Sequence, residues 1–177
     1  PRRLLRLGPR ASRQNTVLME FLFWLSLALI FYAYLGYPVI LWFLSLFLKR
    51  PICRSDIAPA VTLVISAYNE EGVLSEKLKN SLELDYPKGL LEIAVISDGS
   101  TDKTNEIISR FARKHPTTIR PCISRENKGK TACLNEFVPQ LNGELILFSD
   151  ANSFYDPALL RRIVRPFADP RIGFVTG

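Results

Sequence analysis

Five acidic residues and two lysines stand where a charged, oxygen-rich ligand would need them. Glu70 and Glu71 belong to the run Ala67, Tyr68, Asn69, Glu70, Glu71; Asp98 and Asp102 bound the run Asp98, Gly99, Ser100, Thr101, Asp102; Asp150 opens Asp150, Ala151, Asn152. Each group directly follows a short, continuous apolar run of the buried-strand type: Val61 to Ser66, Leu91 to Ser97 and Leu145 to Ser149. Ligands of an open parallel sheet bind outside the carboxyl ends of its strands, so the three loops would share one edge. Singly, each loop has a plainer explanation. Glu70 and Glu71 would favour the positive end of the helix they open, Ser100 to Asp102 would cap a helix, and Asp150 would begin a turn. Capping does not require acids to gather on one edge, whereas binding a cation, or a ribose and base, does. Asp150 and the amide oxygen of Asn152 offer a perch for Mg2+ or Mn2+, hard ions that take one or two protein carboxylates and complete their shell with substrate phosphate oxygens. Lys128 and Lys130, after a fourth run from Thr118 to Ser124, lie near the same edge, where they would neutralise phosphate or simply form a solvated loop.

Other chemistries are excluded by what the chain lacks. The first loop has no glycine before Gly72, so it carries neither a dinucleotide fingerprint nor a Walker phosphate loop. His115 is the only histidine, which removes histidine triads and multi-histidine metal sites. Cys53, Cys122 and Cys133 are odd in number and lack zinc-site spacing, and read as free thiols of a reducing compartment. The net charge of +6 comes largely from the flanks of the apolar N-terminal segment, and no motif points to nucleic acid.

The elements that must position these residues follow from the hydrophobic period. Leu74, Leu78 and Leu82 share a helix face, as do Ile107, Ile108 and Phe111, then Leu134, Phe137, Val138 and Leu141, and then Leu160, Ile163, Val164 and Phe167. A fifth strand is expected over Ile172 to Thr176. Strand and helix in alternation, with unbroken apolar strands, imply an α/β domain: a mainly parallel sheet with helices on both faces. The chain stops at Gly177 directly after that last run, which reads as a truncation at the C-terminus of the domain.

Before this domain, Phe21 to Leu48 is 28 residues without a formal charge and holds both tryptophans, Trp24 and Trp42. As a helix it would reach about 42 Å at about 1.5 Å per residue, more than a hydrocarbon core of about 30 Å. The apolar region of a signal peptide is about 7 to 15 residues, too short to account for it. One transmembrane helix preceding the α/β domain is expected, with a kink or exit at Gly36, Tyr37, Pro38. Arg2, Arg3, Arg6, Arg10 and Arg13 precede the span; Lys49, Arg50 and Arg54 follow it. Taken literally, the positive-inside rule holds the N-terminus in the cytoplasm. The chain opens on proline, however, and its only methionine is Met19. If Met19 is the start, residues 1–18 are a non-native basic segment and the same rule places everything after the span in the cytoplasm. The division is then 1–18 basic segment, 19–50 membrane anchor, 51–59 proline-bounded linker and 60–177 globular domain.

The runs VTLVISAYNEE (Val61 to Glu71), DGSTD (Asp98 to Asp102), NKGK (Asn127 to Lys130) with Asn135 downstream, and SDAN (Ser149 to Asn152) resemble, in order and spacing, glycosyltransferase family 2. This group of inverting enzymes includes cellulose, hyaluronan and poly-N-acetylglucosamine synthases. The resemblance covers about residues 59–177. It implies a glycosyltransferase A fold with a UDP-sugar across the sheet edge. Ala67, Tyr68 and Glu70 would then line the nucleoside pocket, Asp98 would bond uracil or ribose, and Lys130 would sit near the nucleotide. Asp150 and Asn152 would occupy the metal and diphosphate motif. The usual motif there is aspartate, any residue, aspartate; Asn152 departs from it, and weaker metal binding is expected. The family's general base is expected beyond Gly177, so no catalytic residue is assigned and this stretch alone is expected to be inactive. The implied activity is transfer of a sugar, with inversion, from a UDP-sugar to a glycan or lipid-linked acceptor at the bilayer. The competing readings are a sugar nucleotidyltransferase-like enzyme, which would typically carry a glycine-rich basic loop after the first strand, and a non-catalytic membrane-tethered scaffold.

Overall fold

The computed structural model describes residues 9–48 and 51–176, with side chains from residue 15. The flanking charges Arg2, Arg3, Arg6, Lys49 and Arg50, the side chains of Arg10 and Arg13, and the terminal Gly177 lie outside the described residues. The chain forms two compact units, residues 1–51 and 52–177.

In the first unit, α1 (Pro9–Phe31) runs through a π-helical turn (Tyr32–Gly36) into α2 (Tyr37–Phe47). The π turn falls just before Pro38, which has no N–H to donate and would press on the carbonyl four residues back; widening the preceding turn relieves both defects without ending the helix. The expected irregularity at Gly36 to Pro38 is therefore present as a bulge within a helix that continues to Phe47. Asn15–Phe47 is a continuous helix of 33 residues; its most apolar stretch of 18 residues has a mean hydropathy of 1.9, and none of that stretch is buried. It is long and apolar enough to cross a bilayer.

The second unit is built on a parallel sheet of four strands, β1 (Val61–Ala67), β2 (Leu91–Asp98), β3 (Ile119–Ser124) and β4 (Leu145–Asp150), in the order β3-β2-β1-β4. The central strands β1 and β2 are buried along nearly their whole length, as their unbroken apolar sequence requires. Helices cover both faces. On one, Leu63 and Ile65 of β1 and Ile93 and Val95 of β2 pack with Leu74 and Leu78 of α3 (Leu74–Leu82), Ile108 and Phe111 of α4 (Thr104–Lys114), and Leu160 and Val164 of α6 (Leu159–Val164). On the other, Val64, Ala94, Ile96 and Cys122 meet Cys133, Leu134 and Phe137 of α5 (Lys130–Phe137).

The expectation for Ile172 to Thr176 is not met: no strand forms there. Its backbone joins no ladder with β4, Ile172 N–H closes a turn onto the Asp169 carbonyl, and Phe174 is 82% exposed. An apolar run signals a demand for burial, but a strand exists only through a partner ladder. The end of the expected third helical face also differs: Leu141 lies past α5 and the 3-10 turn Val138–Gln140. Phe167 likewise lies past α6, in the 3-10 turn Arg165–Ala168. Prolines at 139 and 166, which cannot continue an α-helical hydrogen-bond ladder, accompany both shortenings.

Candidate functional site at the sheet's switch point

From β1 the chain moves outward to β2 and β3, then returns to place β4 on the other side of β1. The crevice where winding reverses is the expected ligand site of such a sheet. Register aligns the strand ends there: Ser66 pairs with Asp150, Ala67 with Ser97, and Asp98 with Ser124. A cleft of about 410 Å³ opens at this edge, within the range of about 300–1,000 Å³ typical of small-molecule sites. Ala67, Tyr68, Glu70, Asp98, Lys130, Asp150 and Asn152 all line it, whereas Glu71, Asp102 and Lys128, which also follow the strand ends, do not.

The loops that carry them are tied by reciprocal hydrogen bonds. Glu70 N–H donates to Thr104 Oγ1 at 2.9 Å and Glu71 N–H to Asp102 Oδ2 at 3.1 Å, while Thr101 N–H donates to Asn69 Oδ1 at 2.8 Å and Lys103 N–H to Glu71 Oε2 at 3.0 Å. Asn69 adopts φ 53°, a left-handed conformation that asparagine tolerates better than most residues. The acids therefore divide by role. Glu71 and Asp102 hold one loop to the other, whereas Glu70, Asp98 and Asp150 face the cleft. Spacing alone could not separate the two sets.

Asp98 is the most completely held. Its Oδ1 accepts from Lys128 N–H at 2.7 Å and from Cys133 Sγ at 3.0 Å. Burial pushes its carboxyl upward, but the donors from Cys133, Lys128 and Gly129 outweigh that and hold it below the usual carboxylate value. It is thus an oriented anion, suited to accept an N–H or O–H from a ligand. Gly99, φ 65°, permits the close approach of the Asn127 loop that supplies these donors: a Cβ there would lie 2.4 Å from Asn127 N.

At the other end, Lys130 Nζ lies 2.6 Å from Asp150 Oδ1, with both side chains more than half exposed. The exposed pair is open to exchange with a ligand's phosphates or a cation. Lys128 behaves differently: its ammonium pairs with Glu136 at 3.0 Å along α5, and only its backbone serves the cleft, through Asp98. Among the described residues no group of three or more histidine, cysteine, aspartate or glutamate side chains could hold a metal ion. The available oxygen donors, the Asp150 carboxylate and the Asn152 amide, fit a Mg2+ or Mn2+ that draws most of its ligands from substrate.

Two residues escaped the sequence reading. Cys133 lines the cleft one helical turn after Lys130, and burial, then its bond to Asp98, push its thiol up to about 11. Lys77 is fully buried on the core face of α3. Its Nζ donates to the Ser153 carbonyl and stands 3.9 Å from the centre of the Tyr155 ring. Burial pulls the ammonium down to about 8, against the opposing influence of Asp150. The signal for Lys77 was present: a lysine between Leu74 and Leu78 on the helix's own apolar stripe.

Comparison with known proteins agrees with this geometry. Residues 62–177 match the family model described as Glycosyl transferase family 2. Among similar sequences, the beta-monoglucosyldiacylglycerol synthase of Nostoc sp. is 32% identical over 118 residues, 66% of this chain and 25% of the relative. The poly-beta-1,6-N-acetyl-D-glucosamine synthase of Staphylococcus aureus is 31% identical over 130 residues, 73% of this chain and 31% of the relative. The chain thus spans only about a quarter to a third of these relatives. Among solved structures, a mannosyltransferase from Pyrobaculum calidifontis in complex with GDP-Man and Mn2+ matches with a TM-score of 0.70 and 32% identity, over 80% of this chain and 43% of that one. S. aureus TarS 1-349 in complex with UDP-GlcNAc matches with a TM-score of 0.51 and 25% identity, over 58% of this chain and 29% of that one. The strand-end acids, the loops that hold them and the sheet beneath them all fall inside the matched region: this chain belongs to glycosyl transferase family 2.

Proposed function

We propose that the chain is the donor-binding portion of a membrane-anchored inverting glycosyltransferase, which transfers a sugar from a UDP-sugar to a glycan or lipid-linked acceptor. The observation that carries the reading is the cleft at the switch point, with an oriented, ionised Asp98 at one end and the exposed Lys130–Asp150 pair at the other. These ends suit the two chemistries of one ligand. Asp98 accepts the imide N–H of uracil or a ribose hydroxyl, with Tyr68 and Glu70 beside it and Ala67 forming the pocket wall. Lys130 leaves Asp150 to meet the diphosphate, and Asp150 and Asn152 are the residues that would hold Mg2+ or Mn2+. When bound, that ion offsets the charge that grows on the departing diphosphate. The reaction is a single in-line displacement at the anomeric carbon, from an α-linked donor to a β-linked product; the acceptor hydroxyl loses its proton to a carboxylate not assigned to a residue of this chain.

The Asn15–Phe47 helix supplies the anchor, and the three cysteines, all free, suit a cytoplasmic domain. The test is calorimetric titration of UDP, and of GDP for comparison, into the detergent-solubilised protein with and without Mn2+. Asp98→Ala is expected to lower UDP affinity by about tenfold or more, as the loss of a hydrogen bond to a charged group implies. Asp150→Ala is expected to abolish the gain from Mn2+. If folded wild type and both variants bind UDP equally, the donor site is elsewhere. If GDP binds in preference to UDP, the site is a donor site but the base is assigned wrongly.

A further inference from the structure

Resting on that donor-site reading, Lys77 calls for its own explanation. A fully buried ammonium is costly unless its charge is used, because the low-dielectric interior disfavours the charged form. Methionine or leucine would fit the apolar stripe of Leu74 and Leu78 without that cost. The partners of Lys77 are a carbonyl and an aromatic face, and both belong to the loop that leaves β4 just after Asp150 and Asn152. That loop does not need Lys77 to be held in place. Asn80, one turn further along α3, donates to the Tyr155 carbonyl and accepts from Tyr155 N–H, each at 2.9 Å. With the backbone already clamped, what Lys77 adds is positive charge beneath the loop, within electrostatic reach of Asp150.

Asn152 adds no charge beside Asp150, and Lys130 already pairs with that carboxylate from the solvent side. Asp150 is thus acted on by two lysines, while Glu70 and Asp98 are the other acids that line the cleft. Two ammonium groups on one carboxylate favour an incoming anion at Asp150 more than a bare cation.

We propose that Lys77 is a positioning residue for the donor's diphosphate: a buried ammonium beneath the Asp150–Tyr155 loop whose fixed charge draws the diphosphate and reduces the share of neutralisation left to a divalent cation. It acts through its charge and does not line the cleft.

The effect separates charge from mere support. Titrate UDP without metal, uridine, and Mn2+ alone into the solubilised chain, comparing wild type with Lys77→Met, which keeps the length and apolar stem. UDP affinity without metal is expected to fall about tenfold, uridine binding to stay unchanged, and Mn2+ alone to bind several-fold more tightly, because a like charge near Asp150 is gone. Lys77→Gln, which retains a donor for the Ser153 carbonyl without the charge, is expected to behave like Lys77→Met and replaces it if that variant does not fold. UDP and Mn2+ weakened together would reduce Lys77 to structural support and overturn the proposal, as would unchanged UDP affinity in a folded variant. Wild type that binds neither uridine nor UDP would instead overturn the donor-site reading, and this proposal with it.

Discussion

At the residue scale, side chains of one type are divided by their partners. Cys53 is exposed, whereas Cys122 and Cys133 are buried and have their thiols pushed upward by that burial. For Cys133 the neighbouring Asp98 carboxylate adds to the effect, since a thiolate beside an anion is doubly disfavoured. Iodoacetamide at about pH 8 is therefore expected to modify Cys53 quickly and the other two only after unfolding. Intact-mass analysis showing a single rapid addition, which peptide mapping places on Cys53, would agree. Rapid alkylation of Cys133 in the folded protein would mean that it does not share a proton with Asp98. The acids show the same division. Their clustering on one edge could be read from sequence, because each follows a strand-type run, but the assignment of Glu71 and Asp102 to loop bracing depends on hydrogen bonds between segments about 30 residues apart.

At the scale of the element, α3 is the least ordinary helix in the globular unit. Its buried stripe is Leu74, Lys77, Leu78 and Ser81, with Ser81 Oγ bonded back to the Lys77 carbonyl at 2.8 Å. In the unfolded chain Lys77 keeps its proton to the ordinary 10.5, while in the folded chain it releases it near 8. Between these values the unfolded state binds more protons, so this group's contribution to stability rises as pH rises. Urea melts at steps from about pH 7.5 to 10 are expected to show wild type gaining on Lys77→Met across that window. A gap independent of pH would mean that the lysine is not titrating in a buried site. The strands tell a complementary story. The runs predicting β1 to β4 formed strands at nearly the expected bounds, whereas Ile172 to Thr176, which is also apolar, did not. Local sequence states whether a segment seeks burial; pairing depends on what lies beside it.

At the scale of the whole molecule, an apolar helix and an α/β domain form separate compact units, and the helix is the proposed anchor. The chain is expected to stay in the membrane pellet after an alkaline carbonate wash, and a version beginning at residue 52 to move to the supernatant. If both remain in the pellet, the globular unit binds the bilayer by itself. A membrane-impermeant maleimide is expected to label the exposed Cys53 in inside-out vesicles and not in intact cells; the reverse would place the domain outside. The alternation of apolar runs with helical faces determined an α/β class, because hydrophobic period and backbone geometry are both local properties. It also determined which residues follow strand ends, and so which could meet a ligand. What only tertiary structure decided is the strand order β3-β2-β1-β4, which sets the reversal of winding between β1 and β4 and brings Asp98, Lys130 and Asp150 around one cleft. It likewise decided that a lysine amid the leucines of α3 lies under the Asp150 loop. Both depend on contacts between residues far apart in the chain, whose geometry no local pattern encodes.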